Sequence, residues 1–228
     1  MQKKVNIALV GNPNCGKSSL FNELTGLNQK IGNFPGVTVE KKSGTCKLSP
    51  ETEATFIDLP GTYSLYPRRA DEWVAYRVLL QEDKEAIPDM ILLVADASNI
   101  RRNLLFCSQI IDLKIPVVVA LTMMDIAKEK GIRIDVPSLE IELGVPVVVV
   151  NPRKQKGINE LKKTIEQKIE QQTHASSTEF IYNYMLAPKA INSVRALFPD
   201  ISNYKAIHCL INHEGLGLPE GISRQIEN

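Results

Sequence analysis

Gly11-Asn12-Pro13-Asn14-Cys15-Gly16-Lys17-Ser18 is the stretch on which the fold turns. It has the form G-x-x-x-x-G-K-S. The strand-like Val5-Asn6-Ile7-Ala8-Leu9-Val10 precedes it, and a helical pattern opens at Ser18-Ser19. That order is the one a phosphate-binding loop needs. Glycines let the backbone wrap, successive N–H groups and a helix N-terminus face an anion, the lysine adds a point charge, and the serine hydroxyl can ligand Mg²⁺.

Outward from this loop, short β-rich runs alternate with helical patterns. Strands are expected at 5–10, 44–48, 54–59, 90–95, 116–121 and 146–150, and helices at 18–25, 71–81, 102–113, 136–143 and 158–171. In the last helix Ile158, Leu161, Ile165 and Ile169 recur three or four apart. Runs such as 90–95 are apolar on both faces, as a parallel sheet covered by helices requires. The pattern predicts an α/β, three-layer P-loop sandwich with a mainly parallel sheet over residues 1–170. Residues 171–178 are polar and aperiodic and read as a linker. From 179 to 228 no strand signal remains. Ile181, Tyr184, Met185, Ala187, Ile191, Val194, Leu197 and Phe198 fit helical faces, so this part reads as a small helical appendage. Alone it would be marginal, and it is expected to dock on the first domain or to belong to something longer.

Composition removes other classes. The 27 Lys+Arg against 26 Asp+Glu leave a net charge of +1, which argues against a nucleic-acid binder working through bulk charge. The apolar runs 90–95 and 115–124 fall short of the roughly 20 residues that cross a bilayer. Met1-Gln2-Lys3-Lys4 leads straight into a strand pattern, so no signal peptide is expected. Cys15, Cys46, Cys107 and Cys209 are too scattered for a disulfide scaffold or a zinc site.

Three further motifs narrow the nucleotide. Asp58-Leu59-Pro60-Gly61 ends the third expected strand about 40 residues past the phosphate loop, where the aspartate can hold Mg²⁺ and the glycine N–H can meet a γ-phosphate. Between them Gly36-Val37-Thr38 supplies a threonine able to close over Mg²⁺ and phosphate. Thr122-Met123-Met124-Asp125 follows the fifth strand, where a carboxylate can accept from guanine N1 and N2. Alone, D-x-x-G reads as a turn and T-x-x-D as a helix cap. In this order they read as a GTP-binding set.

These residues resemble a translation-factor-class GTPase. More closely, the chain is similar to the N-terminal cytoplasmic G domain of the bacterial ferrous-iron transporter family FeoB. The resemblance rests on Gly11 to Ser18, on Gly32-Asn33-Phe34-Pro35-Gly36-Val37-Thr38-Val39-Glu40, on Asp58-Leu59-Pro60-Gly61-Thr62-Tyr63-Ser64-Leu65, and on Asp96-Ala97-Ser98-Asn99 with Arg102-Asn103-Leu104. It covers about the first 165 residues well and the tail weakly. It implies that Gly11, Asn12, Pro13, Asn14, Cys15, Gly16, Lys17, Ser18 and Ser19 cradle the phosphates, with Ser18, Thr38 and Asp58 on Mg²⁺. Gly36, Val37 and Thr38 belong to switch I (27–38), and Asp58, Leu59, Pro60 and Gly61 to the start of switch II (61–69). Asn14 matches the asparagine that coordinates an activating K⁺ in potassium-dependent members; its bland reading is a turn-forming residue. Lys17, Asn14, Thr38 and Gly61 are the implied catalytic set. The tail implies a spacer that inhibits GDP release and leads to a membrane-embedded pore. The expected setting is the cytoplasmic face of the inner membrane, within a longer chain, with a homo-oligomer among the expected partners.

Departures from the family touch the base pocket. Thr122 stands where the family has Asn, and its hydroxyl can replace at most one amide bond. Asn151-Pro152-Arg153 stands where Ser-Ala before a basic residue is common, and Pro152 has no N–H for guanine O6. With Asp125 intact these changes predict GTP over ATP at reduced affinity. Thr62 replaces a water-positioning Gln and predicts slow turnover. Cys15 reads as a small filler, Trp73 as core or an interface anchor, Arg68 and Arg69 as a solvated face, and Arg101 and Arg102 likewise. His174, His208 and His213 are too dispersed to make a metal site. The rival reading is a soluble ribosome- or RNA-directed switch with no transporter.

Overall fold

In the computed structural model, which describes residues 3–26, 29–34, 38–80, 87–171, 176–198 and 201–212, the strand ahead of the glycine loop is β1 (Lys3–Gly11). Its side chains alternate between two cores. Val5, Ile7 and Leu9 face one, and Ala8 and Val10 the other. The remaining described strands are β2 (Gln29–Asn33), β3 (Glu40–Lys47), β4 (Thr52–Asp58), β5 (Met90–Asp96), β6 (Val117–Thr122) and β7 (Val147–Val149). They form one sheet in the order β2-β3-β4-β1-β5-β6-β7. The β2–β3 and β3–β4 pairs are antiparallel and the rest parallel, which gives the mainly parallel α/β sheet that the alternating pattern predicts.

Helices α1 (Lys17–Thr25) and α6 (Ile158–Glu170) cover one face through Leu20, Phe21, Leu24, Leu161 and Ile165. On the other face lie α2 (Ala70–Leu79), α3 (Ile100–Asp112), the short α4 (Met124–Glu129) and α5 (Val136–Leu143). The parallel register pairs Leu9 with Asp58, Gly11 with Val94 and Asp96 with Thr122. The carboxyl ends of four strands therefore meet along one edge, where open α/β sheets bind ligands.

Four features differ from the sequence expectation. β2 is an additional strand with every residue exposed, paired to β3. β3 starts at Glu40, before the expected 44. Helices α4 and α9 (Asn203–Asn212) are additional. Helix α2 ends at Leu79, and Gln81 lies outside the described residues.

The tail holds α7 (Asn183–Leu186), α8 (Pro188–Leu197) and α9. It joins the α2–α3 side of the sheet, with Ile191, Val194, Tyr204 and Ala206 in the same core. The end of α3 anchors it. The buried Asp112 carboxylate accepts from the Phe180 N–H at 3.0 Å and the Ile181 N–H at 2.9 Å. Burial pushes this carboxyl above its ordinary value, against those two bonds. Lys114 donates to the carbonyls of Ser176 and Thr178. On α9, His208 is fully buried beside Tyr76 of α2, its Nδ1 lying 3.2 Å from the hydroxyl. Its ring also packs against Tyr66 and Tyr204, and burial lowers its pKa to about 4, so it is neutral near pH 7. His208 is thus a core histidine that ties the tail to the segment after Asp58. Among the described residues no helix is long and apolar enough to cross a membrane.

Candidate nucleotide site

The loop that leaves β1 is shaped by two glycines. A Cβ on Gly11 would lie 2.6 Å from the Val94 carbonyl oxygen, so only glycine lets the loop depart this close to β5. Gly16 has φ of 89°, which favours glycine, and immediately precedes α1. Asn14 also has positive φ, at 64°, a conformation that asparagine tolerates better than most residues. The loop opens on a cavity of about 570 Å³, within the usual range for ligand sites. Asn12, Pro13, Asn14, Gly16, Lys17, Ser18, Ser19, Gly61, Met123 and Arg153 wall it, and so do Arg69 and Asp71.

Lys17 and Asp58 meet in an ion pair at the carboxyl ends of β1 and β4. Two motifs 41 residues apart are thereby joined in space. Asn12 is buried, and neither end of its amide has a hydrogen-bond partner, so an unsatisfied polar group stands in the cavity wall. Cys15 is a buried filler, as expected, and burial pushes its thiol up to about 11. The sequence therefore gives the loop a lysine, a serine hydroxyl and helix-terminal N–H groups, a donor set that fits phosphate oxygens. Among the described residues no group of three or more His, Cys, Asp or Glu converges. Mg²⁺ would fit here as it commonly does, on one or two protein oxygens plus phosphate oxygens.

The start of switch II is pinned to this loop. Gly61 lies against Pro13, where an added Cβ would come 3.2 Å from the Pro13 Cα. Thr62 donates its N–H to the Gly11 carbonyl at 3.3 Å and its hydroxyl to the Ser64 carbonyl at 2.8 Å, and it is buried. That hydroxyl is turned into its own segment. Further on, Gln109 of α3 accepts from the Leu65 N–H at 3.0 Å, and the Arg102 guanidinium stacks 3.8 Å over the Tyr63 ring. Arg102 is exposed, in keeping with a solvated face, and also contacts the segment after Gly61. Asp96 caps the turn of residues 97–99 by accepting from the Ser98 N–H, and Asn103 accepts from the Asp96 N–H. Pro60 and Leu59 lead into this segment, and Leu59 is buried. Thr38 is exposed and away from the cavity wall, and Gly36 and Val37 lie outside the described residues.

On the base side Thr122 is 2% exposed, and its hydroxyl is 2.7 Å from the Cys15 carbonyl of the phosphate loop and 3.1 Å from that of Ala95. It braces the phosphate loop against β5. Asn151 donates from Nδ2 to Asp125 Oδ2 at 3.1 Å, while its Oδ1 caps the turn of residues 152–154. Pro152 opens that turn. The Ile126 N–H, with Lys154 and Asn151, holds the Asp125 carboxyl below its ordinary value. The signal for Asn151 was present, since an Asn before Pro at a strand end is a capping pattern.

A glycine loop between β1 and α1, with Asp58 and Gly61 at the end of the neighbouring parallel strand β4, defines a P-loop GTPase-like α/β domain. Residues 5–165 match the family model for the N-terminal domain of ferrous iron transport protein B, and the chain belongs to that family. It is 50% identical over 160 residues to the Fe(2+) transporter FeoB of Leptospira biflexa, covering 70% of this chain and 23% of the relative. The chain thus spans about a fifth to a quarter of the curated relatives it matches. The cytosolic domain of the T. maritima FeoB iron transporter in a GDP form superposes with a TM-score of 0.78 at 35% identity, over 98% of this chain and 92% of that one. Its GMPPNP form gives 0.78 at 35%, over 97% and 94%.

Proposed function

We propose that the chain is the guanine-nucleotide-binding and slowly GTP-hydrolysing module of a ferrous-iron transport protein, acting at the cytoplasmic face of the inner membrane. The meeting of Lys17 with Asp58 beneath the glycine loop carries the reading. The GDP and GMPPNP forms of the T. maritima relative support it. In this reading Lys17 exchanges the Asp58 carboxylate for phosphate oxygens when nucleotide binds. Ser18, Thr38 and Asp58 hold Mg²⁺, which supplies charge compensation on the phosphates. Asn14 holds K⁺, whose charge adds to that compensation. Gly36, Val37 and Gly61 close around the γ-phosphate, and Asp125 reads guanine while Arg153 flanks the base.

Residues 1–170 form the G domain, 171–178 a linker and 179–228 a helical spacer coupled to switch II through His208 and Tyr66. Switch ordering around the γ-phosphate would pass through that contact to the downstream membrane part. Family membership favours this over the soluble ribosome- or RNA-directed switch. The test is GTP hydrolysis in KCl against NaCl at matched ionic strength and saturating Mg²⁺. The parent is expected to run faster in KCl, and Asn14→Ala to erase the difference. Equal parental rates in the two salts would remove the K⁺ assignment, and no hydrolysis in either would remove the enzyme.

A further inference from the structure

The cavity wall holds a cation that the phosphate-loop motifs do not include. Arg69 immediately precedes α2, with extended backbone at φ −122°, and lines the same cavity as Lys17, Asn14, Ser18 and Gly61. We propose that Arg69 is a catalytic residue of GTP hydrolysis, an arginine that this chain's own switch II presents to the γ-phosphate. The inference rests on the function proposed above and deepens it.

Three observations carry it. The residue after Asp-x-x-Gly offers no group to the reacting centre, because the Thr62 hydroxyl donates to Ser64 and its N–H to Gly11. Among the described residues of the cavity wall the other cationic side chains are Lys17, at the phosphate loop, and Arg153, on the base side, so Arg69 is the second cation that can reach the phosphates. Arg69 is held only loosely: Nη2 lies 3.5 Å from Asp71 and 3.4 Å from Glu72, and the side chain is 64% exposed. Exposed pairs of this kind are weak and easily exchanged. Both use one nitrogen, and a guanidinium carries further N–H donors on Nη1 and Nε. Its base is firm, since Val74, Ala75, Val78 and Leu79 bury α2 and Glu72 accepts from the Arg68 N–H at 2.8 Å.

In the reaction the water oxygen bonds to the γ-phosphorus as the bond to the β–γ bridging oxygen breaks. That electron pair stays on GDP, and the water proton passes to the released phosphate. Arg69 forms no covalent bond. Its N–H groups meet the oxygens that carry charge in the transition state.

The test compares parent, Arg69→Ala and Arg69→Lys in single-turnover GTP hydrolysis in KCl and NaCl, with affinity for a fluorescent GDP analogue and trapping of GDP with aluminium fluoride as further readouts. Arg69→Ala should slow hydrolysis at least about tenfold, a modest share of what arginine fingers supply. GDP affinity should stay within about twofold, since GDP lacks the γ-phosphate. Aluminium fluoride should no longer be trapped, and Arg69→Lys should recover part of the rate. Hydrolysis and trapping at parental levels in Arg69→Ala would overturn the proposal, as would loss of GDP affinity in step with rate. A parent that hydrolyses no GTP would instead overturn the function on which it rests.

Discussion

The two halves of the cavity, one proposed to hold phosphate and the other the base, are built differently. Backbone and one helix start make the phosphate half, within eight consecutive residues from Gly11 to Ser18. The base half is assembled from side chains at the end of β6, in α4 and in the turn after β7. Asn151, after β7, holds Asp125, after β6, and Thr122 reaches back to the phosphate loop. A structure made by backbone is fixed by a short local pattern. One made by side chains from separate elements rests on contacts that no short pattern records, as those of Thr122 and Asn151 do here.

The sharpest way to break this contrast is to remove the lysine of the phosphate half. Lys17→Ala should lower GTP hydrolysis by at least about a hundredfold, since positioned charge supplies most phosphoryl-transfer catalysis. The far-UV circular dichroism should stay parental, because the loop lysine is no part of either core. Parental hydrolysis in this variant would refute the phosphate-site assignment.

A smaller effect should come from the brace between the halves. Thr122→Val keeps the shape and removes the hydroxyl, leaving the buried Cys15 and Ala95 carbonyls without that donor. Such a loss costs roughly 1–3 kcal/mol, and each 1.4 kcal/mol is about tenfold in affinity. Stopped-flow release of a fluorescent GDP analogue should therefore be about tenfold faster, since pocket changes act mainly on the off-rate. Unchanged release would show that the hydroxyl does not support the nucleotide-binding loop.

The same contrast explains what was legible beforehand. The parallel strands announced themselves because Met90 to Asp96 is buried along its whole length. The glycine loop carried its own geometry. β2 did not, since Gln29-Lys30-Ile31-Gly32-Asn33 has one apolar side chain, and its state is decided by pairing with β3. Helix α4 spans only six residues, too few for a helical period to emerge. In α9 the buried face includes Lys205 and His208, polar types that hide an apolar stripe. The cavity loops were read correctly as loops. Their partners were not, because Asn151 to Asp125 and Arg102 to Tyr63 are contacts that tertiary structure alone creates.

The central claim is a guanine-nucleotide site in which Asp125 reads the base, and competition binding tests it most directly. With a fluorescent GDP analogue bound to the parent in Mg²⁺, unlabelled GDP should displace the probe. ADP should fail at about a thousandfold excess, because adenine offers the Asp125 carboxylate an acceptor where guanine offers N–H donors, and such mismatches are rejected strongly. Displacement by ADP at concentrations close to those of GDP would contradict the account.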